Sequence, residues 1–89
     1  MVKPVKLQIR FSDIDSMGHV NNAVYLSYFE YTRVHYFKAL LSKAWDWESN
    51  GIILAHTEVS FLSPLLLNDQ ANVEMRIGQI GTKSFTLHY

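Results

Sequence analysis

Val5, Leu7, Ile9 and Phe11 alternate with Lys6, Gln8, Arg10 and Ser12, the period of two that lays one face of a β-strand on a core. Past Gly18 the period changes. From about Asn22 to Leu41, Val24, Tyr25, Leu26, Tyr28, Phe29, Tyr31, Val34, Tyr36, Phe37, Leu40 and Leu41 fall on nearly every side of a helix, which predicts a long and largely buried one. An amide oxygen at Asn21 or Asn22 can cap its N-terminus, and Glu30 and Arg33, three apart, are spaced to pair on one side. Ser42 to Gly51 reads as a loop or short irregular helix, with Trp45 and Trp47 flanking Asp46 as packing anchors. Three more strands are expected. The first runs from Ile52 to Leu62 and ends near Pro64. In the second, Ala71, Val73, Met75 and Ile77 alternate with Asn72, Glu74 and Arg76. The third, Lys83 to Tyr89, is entered through a tight connection bracketed by Gly78 and Gly81. Strand, long helix, then antiparallel meander is an α+β order, and residues 1–89 form a single domain without repeat or linker.

Four strands do not easily cover a helix that is apolar on every side. Further strands, a second subunit, or both are therefore expected, and the assembly should be at least a dimer. The alternation of Phe85, Leu87 and Tyr89 runs to the last residue, so the domain is expected to be C-terminally truncated.

Composition narrows the class. Of 89 residues 48% are hydrophobic and 18% charged, and the formal net charge is zero, which argues against a nucleic-acid partner. The absence of cysteine excludes disulfides and thiolate chemistry. No apolar h-region follows the first residues and no apolar run approaches a membrane span, so a soluble cytoplasmic protein is the expectation.

The candidate chemistry lies between the first strand and the helix, in Asp13-Ile14-Asp15-Ser16-Met17-Gly18-His19-Val20-Asn21-Asn22. Two carboxylates, an imidazole, a glycine and two amides meet there beside the free N–H groups of a helix N-terminus. Asp15 is the first candidate for a catalytic carboxylate, able to attack a carbonyl carbon or take a proton from water; its plain alternative is support of the turn. Asp13 continues the inward-facing alternation and, as a buried carboxylate, must be hydrogen-bonded, which suits a supporting role. His19 can orient a carbonyl, stabilise negative charge or relay a proton. Gly18 permits a backbone angle or close approach that a side chain would block. The N–H groups of about Asn21 to Ala23 offer an oxyanion hole. Tyr25 is a core aromatic that can line an acyl pocket. Asp13, Asp15 and His19 could ligate a divalent cation, but no fourth ligand follows at a recognisable spacing, and His56 would reach only if the fold brought it there; no metal or cofactor is called for. A buried Glu30 is the main rival for the base.

Arg10 to Leu26, with Tyr28-Phe29-Glu30 and Arg33, resembles the hotdog-fold acyl-CoA thioesterases of the 4-hydroxybenzoyl-CoA thioesterase-like group. Phe61-Leu62-Ser63-Pro64, Asp69 and Gly81-Thr82-Lys83-Ser84-Phe85 match more loosely. The resemblance implies a hotdog fold: a long helix wrapped by a curved antiparallel sheet, dimers that continue the sheet, and active sites at the subunit interface. It places the catalytic aspartate on Asp15, the oxyanion donor near Asn22, and contacts to the pantetheine or nucleotide part of CoA on Lys83 and Ser84. Gly81 and Thr82 stand where the 4-hydroxybenzoyl-CoA enzyme has basic residues, and Met17 departs from the asparagine of the plant acyl-carrier-protein enzymes. The expected activity is hydrolysis of an acyl-CoA, or an acyl-carrier-protein thioester, by a homodimer or homotetramer. A hotdog hydratase or dehydratase and a non-catalytic acyl-thioester-binding or assembly module are the alternatives.

Overall fold

A computed structural model describes residues 3–41, 46, 48 and 51–89. Its elements are strand β1 (Val5–Leu7), a 3-10 turn (Phe11–Asp13), helix α1 (Asn22–Leu40), and strands β2 (Ala71–Val73), β3 (Arg76–Ile80) and β4 (Phe85–His88). The opening strand is shorter than the alternation suggests. Asp13 N–H donates to the Arg10 carbonyl at 2.9 Å, which turns the chain out of the sheet and leaves Phe11 82% exposed.

Helix α1 begins where the cap chemistry says it should. Asn21 has non-helical backbone (φ −59°, ψ 135°), and its side chain accepts the Ala23 N–H at 2.9 Å. At the other end Leu41 N–H closes on the Phe37 carbonyl at 2.8 Å. One stripe of the helix, Tyr28, Thr32, Tyr36 and Phe37, is buried. That stripe meets Val5, Leu7, Val20, Ala71 and Met75 to form the core. The all-round burial expected for the helix does not occur within one chain. Tyr31 is 61% exposed, and Leu26, Val34 and Leu40 are exposed as well, because the strands lie along one side only.

β1 pairs antiparallel with β2, Val5 opposite Val73 and Leu7 opposite Ala71. β3 pairs antiparallel with β4, and the register shifts between Ile77 and Ile80. The alternating run from Ala71 to Ile77 is thus divided between β2 and β3, with buried Met75 at the junction. Gly78 does not bracket the turn as expected. It lies inside β3 under the His88 ring, where a Cβ would collide with that imidazole; Gly81, whose N–H donates to the Ser84 carbonyl at 2.8 Å, makes the turn. β4 covers part of the helix: Phe85 meets Phe37 edge-on, and Tyr89 stacks on Phe29 with centroids 4.7 Å apart.

The expected strand from Ile52 to Leu62 is absent. The segment has no strand hydrogen bonds, and Ile53 and Leu62 are over 90% exposed. Its apolar residues suit a sheet, but no strand among the described residues offers it a ladder. Arg33 pairs not with Glu30, which is exposed, but with the Tyr89 hydroxyl, to which it donates at 3.1 Å. Trp45 and Trp47 lie outside the described residues.

Candidate active site

Asp13 is the hub of the strand-to-helix junction. Its side chain is almost fully buried, which by itself would push the carboxyl pKa up. The partners outweigh that cost. Oδ2 accepts the Arg10 N–H at 3.0 Å and the Tyr28 hydroxyl at 2.8 Å, and Oδ1 accepts from the Arg10 guanidinium at 3.2 Å. With the charge of Arg10 added, the pKa falls below the usual 3.8, and Asp13 stays ionised. Burial, then the hydrogen bond to Asp13 and its charge, push the Tyr28 hydroxyl pKa up, so Tyr28 remains a donor. The Asp13 carbonyl also accepts the Asn21 N–H at 2.9 Å, tying the start of the loop to the residue that caps the helix.

Between these two residues the chain makes a closed loop. Ile14 and Val20 form an antiparallel bridge, Asp15 N–H donates to the His19 carbonyl at 2.8 Å, and Gly18 N–H donates to the Asp15 carbonyl at 3.0 Å. Oδ1 of Asp15 accepts the Met17 N–H at 2.9 Å and the His19 N–H at 3.3 Å. The loop turns back at Gly18, whose φ of +80° lies in the left-handed region that side chains disfavour. Asp15 and His19 are half-buried at the loop surface. One oxygen of Asp15 therefore braces the turn, while Oδ2 has no hydrogen-bond partner among the described residues.

The oxyanion hole expected from Asn21 to Ala23 shrinks to one group. Asn21 N–H is committed to the Asp13 carbonyl and Ala23 N–H to the Asn21 side chain. Asn22 N–H alone of the three has no acceptor among the described residues, and it stands at the positive end of a helix of 19 residues.

A groove of ≈ 490 Å³ runs beside the helix, walled by Tyr25, Tyr28, Phe29, Phe61 and Tyr89 with the edge of β2. Tyr25 packs edge-on against Phe61 with centroids 5.1 Å apart, and its hydroxyl accepts the Leu65 N–H at 3.2 Å. Asp15, His19 and Asn22 do not line this groove within the single chain, nor do Lys83 and Ser84, which are exposed at the β3–β4 turn. The buried Tyr28–Asp13 bond joins the groove wall to the start of the loop. No cluster of three His, Cys, Asp or Glu residues close enough to hold a metal occurs among the described residues, and the carboxylate of Asp13 is already engaged. His56 lies out on the unpaired segment, 4.0 Å from Glu58, with both side chains exposed.

Sequence reasoning missed two partners. Arg10 was signalled by its spacing of three from Asp13, the pairing distance of one turn. Tyr28 carried no such local signal, since it meets Asp13 from fifteen residues away and reads as an ordinary core aromatic.

Residues 9–89 match the thioesterase-like superfamily, and the chain belongs to that family. Its long helix against antiparallel strands is the hotdog fold. A thioesterase from Thermus thermophilus, solved in complex with coenzyme A and zinc, matches with a TM-score of 0.80 and 40% identity over 94% of this chain and 62% of that one. An acyl-acyl carrier protein thioesterase of Arabidopsis thaliana, the chloroplastic ATL3, is 32% identical over 96% of this chain and 45% of its own length. The uncharacterized protein YsmA of Bacillus subtilis (strain 168) is 30% identical over 94% of this chain and 56% of its own. The chain thus spans about half the length of the curated relatives it matches. No helix among the described residues is long and apolar enough to cross a membrane.

Proposed function

We propose that this chain hydrolyses acyl thioesters, releasing a free acid and a thiol, with Asp15 and the Asn22 N–H as its working groups. The observation that carries this is that the loop holding Asp15 leads directly into α1, and each element keeps one group uncommitted to the fold: Oδ2 of Asp15 and the first N–H of α1. As the thioester carbon becomes tetrahedral, negative charge grows on its oxygen, and a helix N–H aimed at it stabilises that charge. Asp15 either removes a proton from the attacking water or adds to the carbonyl carbon itself, and the two routes have the same balance. The C–S bond breaks, water supplies the acid's new oxygen, and a proton reaches the departing thiolate. His19 orients the carbonyl across the turn that Gly18 allows, and Asp13 holds the loop in place. Lys83 and Ser84 face the carrier's phosphopantetheine or nucleotide part, and Tyr25 contributes to the acyl groove.

The coenzyme A complex of the Thermus protein and the carrier-protein substrate in the name of the Arabidopsis one support a CoA or acyl-carrier-protein thioester as the substrate class. The proposal includes a homodimer or homotetramer, supported by the unpaired apolar segment and by the exposed side of α1. Release of free thiol from short, long and aromatic acyl-CoAs and from acyl-carrier protein tests the reaction. Turnover of at least one substrate to free acid supports it. Enoyl product would point to the hydratase class, and binding without turnover to a non-catalytic module.

A further inference from the structure

Two tyrosines one turn apart on α1 hold the two ends of the Asp15 loop, and neither hydroxyl has a role in the chemistry proposed above. Tyr28 donates to Oδ2 of Asp13 at 2.8 Å, and Asp13 begins the loop. Tyr25 accepts the Leu65 N–H at 3.2 Å, and the Leu65 carbonyl in turn accepts the Val20 N–H at 2.8 Å, where the loop ends. The rings meet edge-on with centroids 6.1 Å apart, and both face the groove. Asp13 and Val20 are almost fully buried. The loop between them is therefore clamped to the body of the helix at both ends, through side chains that also form the groove wall.

We infer that Tyr25 and Tyr28 are positioning residues: their hydroxyls fix the entry and exit of the loop, and so the position of Asp15 relative to the start of α1. Because this rests on the thioesterase reading, the test has one arm that measures turnover and one that does not.

The variants are Tyr28→Phe and Tyr25→Phe, which remove a hydroxyl and keep the ring in the groove. Tyr36→Phe is the control, equally buried on α1 and about 12 Å further along the helix from Tyr28. Tyr28→Phe should lower kcat for the best acyl-CoA about tenfold with KM changed less than about twofold, the pattern of a misplaced reacting group rather than lost substrate contact. By amide hydrogen exchange, Asn21 and His19 should open faster in Tyr28→Phe, and Val20 faster in Tyr25→Phe, while mid-helix amides keep the wild-type rate. The inference is overturned if loop exchange stays at the wild-type rate in both variants, if Tyr36→Phe reproduces the effect, or if exchange rises evenly throughout. A wild-type chain that releases no thiol would overturn the thioesterase reading alone; the exchange arm would still decide whether the clamp exists. Should Tyr28→Phe fail to fold, Tyr25→Phe tests the other end by the same two measurements.

Discussion

Asp13 and Asp15 stand two residues apart in the same loop, yet burial and partners divide their work. Asp13 is sealed among Arg10 and Tyr28, while Asp15 keeps one oxygen without a partner among the described residues. Since the native pKa of Asp13 is below 3.8, its unfolded form binds protons first as the pH drops. Its contribution to stability is present above that pH and is lost as the pH falls through the lower native pKa. Urea unfolding followed across this acid range should show a slope that Asp13→Asn flattens; an unchanged slope would mean that the Tyr28 and Arg10 bonds do not hold the carboxylate. On the proposed orienting role, His19→Ala should cost less activity than loss of Asp15, and complete loss in kcat measurements would promote His19 to the principal group. The alternation put both Phe11 and Asp13 inward; Asp13 is buried, but by the 3-10 turn that leaves Phe11 82% exposed, not by a continuing strand. The distant partner of Asp13 was not legible, because Tyr28 meets it only once the helix has folded back across the sheet.

At the level of elements, the best-read feature was α1, where pattern and cap agree and the observed span of Asn22–Leu40 lies within a residue of the expected one. The strands were read less well. A period of two shows which residues can share a face, but the ladder needs a neighbour, and Ile52 to Leu62 has none among the described residues. The loop's own devices can be tested singly. Gly18→Ala places a Cβ where nothing lies within 4 Å, so the cost is the backbone alone, about 1–2 kcal/mol for a left-handed residue. Asn21→Ala removes the cap and should cost about 1 kcal/mol. Denaturant titration measures both, and a neutral Gly18→Ala would show that the loop can flatten that angle freely.

The whole molecule is extended for its length. Its radius of gyration is 14.7 Å and its extents are 41 × 25 × 24 Å, where about 12 Å is usual for a compact chain of this size. Ile53, Leu54 and Leu62 on the unpaired segment, with Tyr31 and Val34 on α1, present the apolar surface that a second subunit would cover. Sedimentation at micromolar concentration should therefore find a dimer or larger, and a stable, active monomer would contradict that expectation. Acyl thioester cleavage through the Asp15 loop is the proposal on which the other expectations for activity depend. Its most direct test is thiol release from acyl-CoA by the wild-type chain and by Asp15→Asn, with equal folding verified by circular dichroism. The wild type should turn over, and the variant should lose at least about 10²-fold in kcat, the scale of an acid–base or nucleophilic group. Near-normal release by a folded Asp15→Asn protein would contradict it.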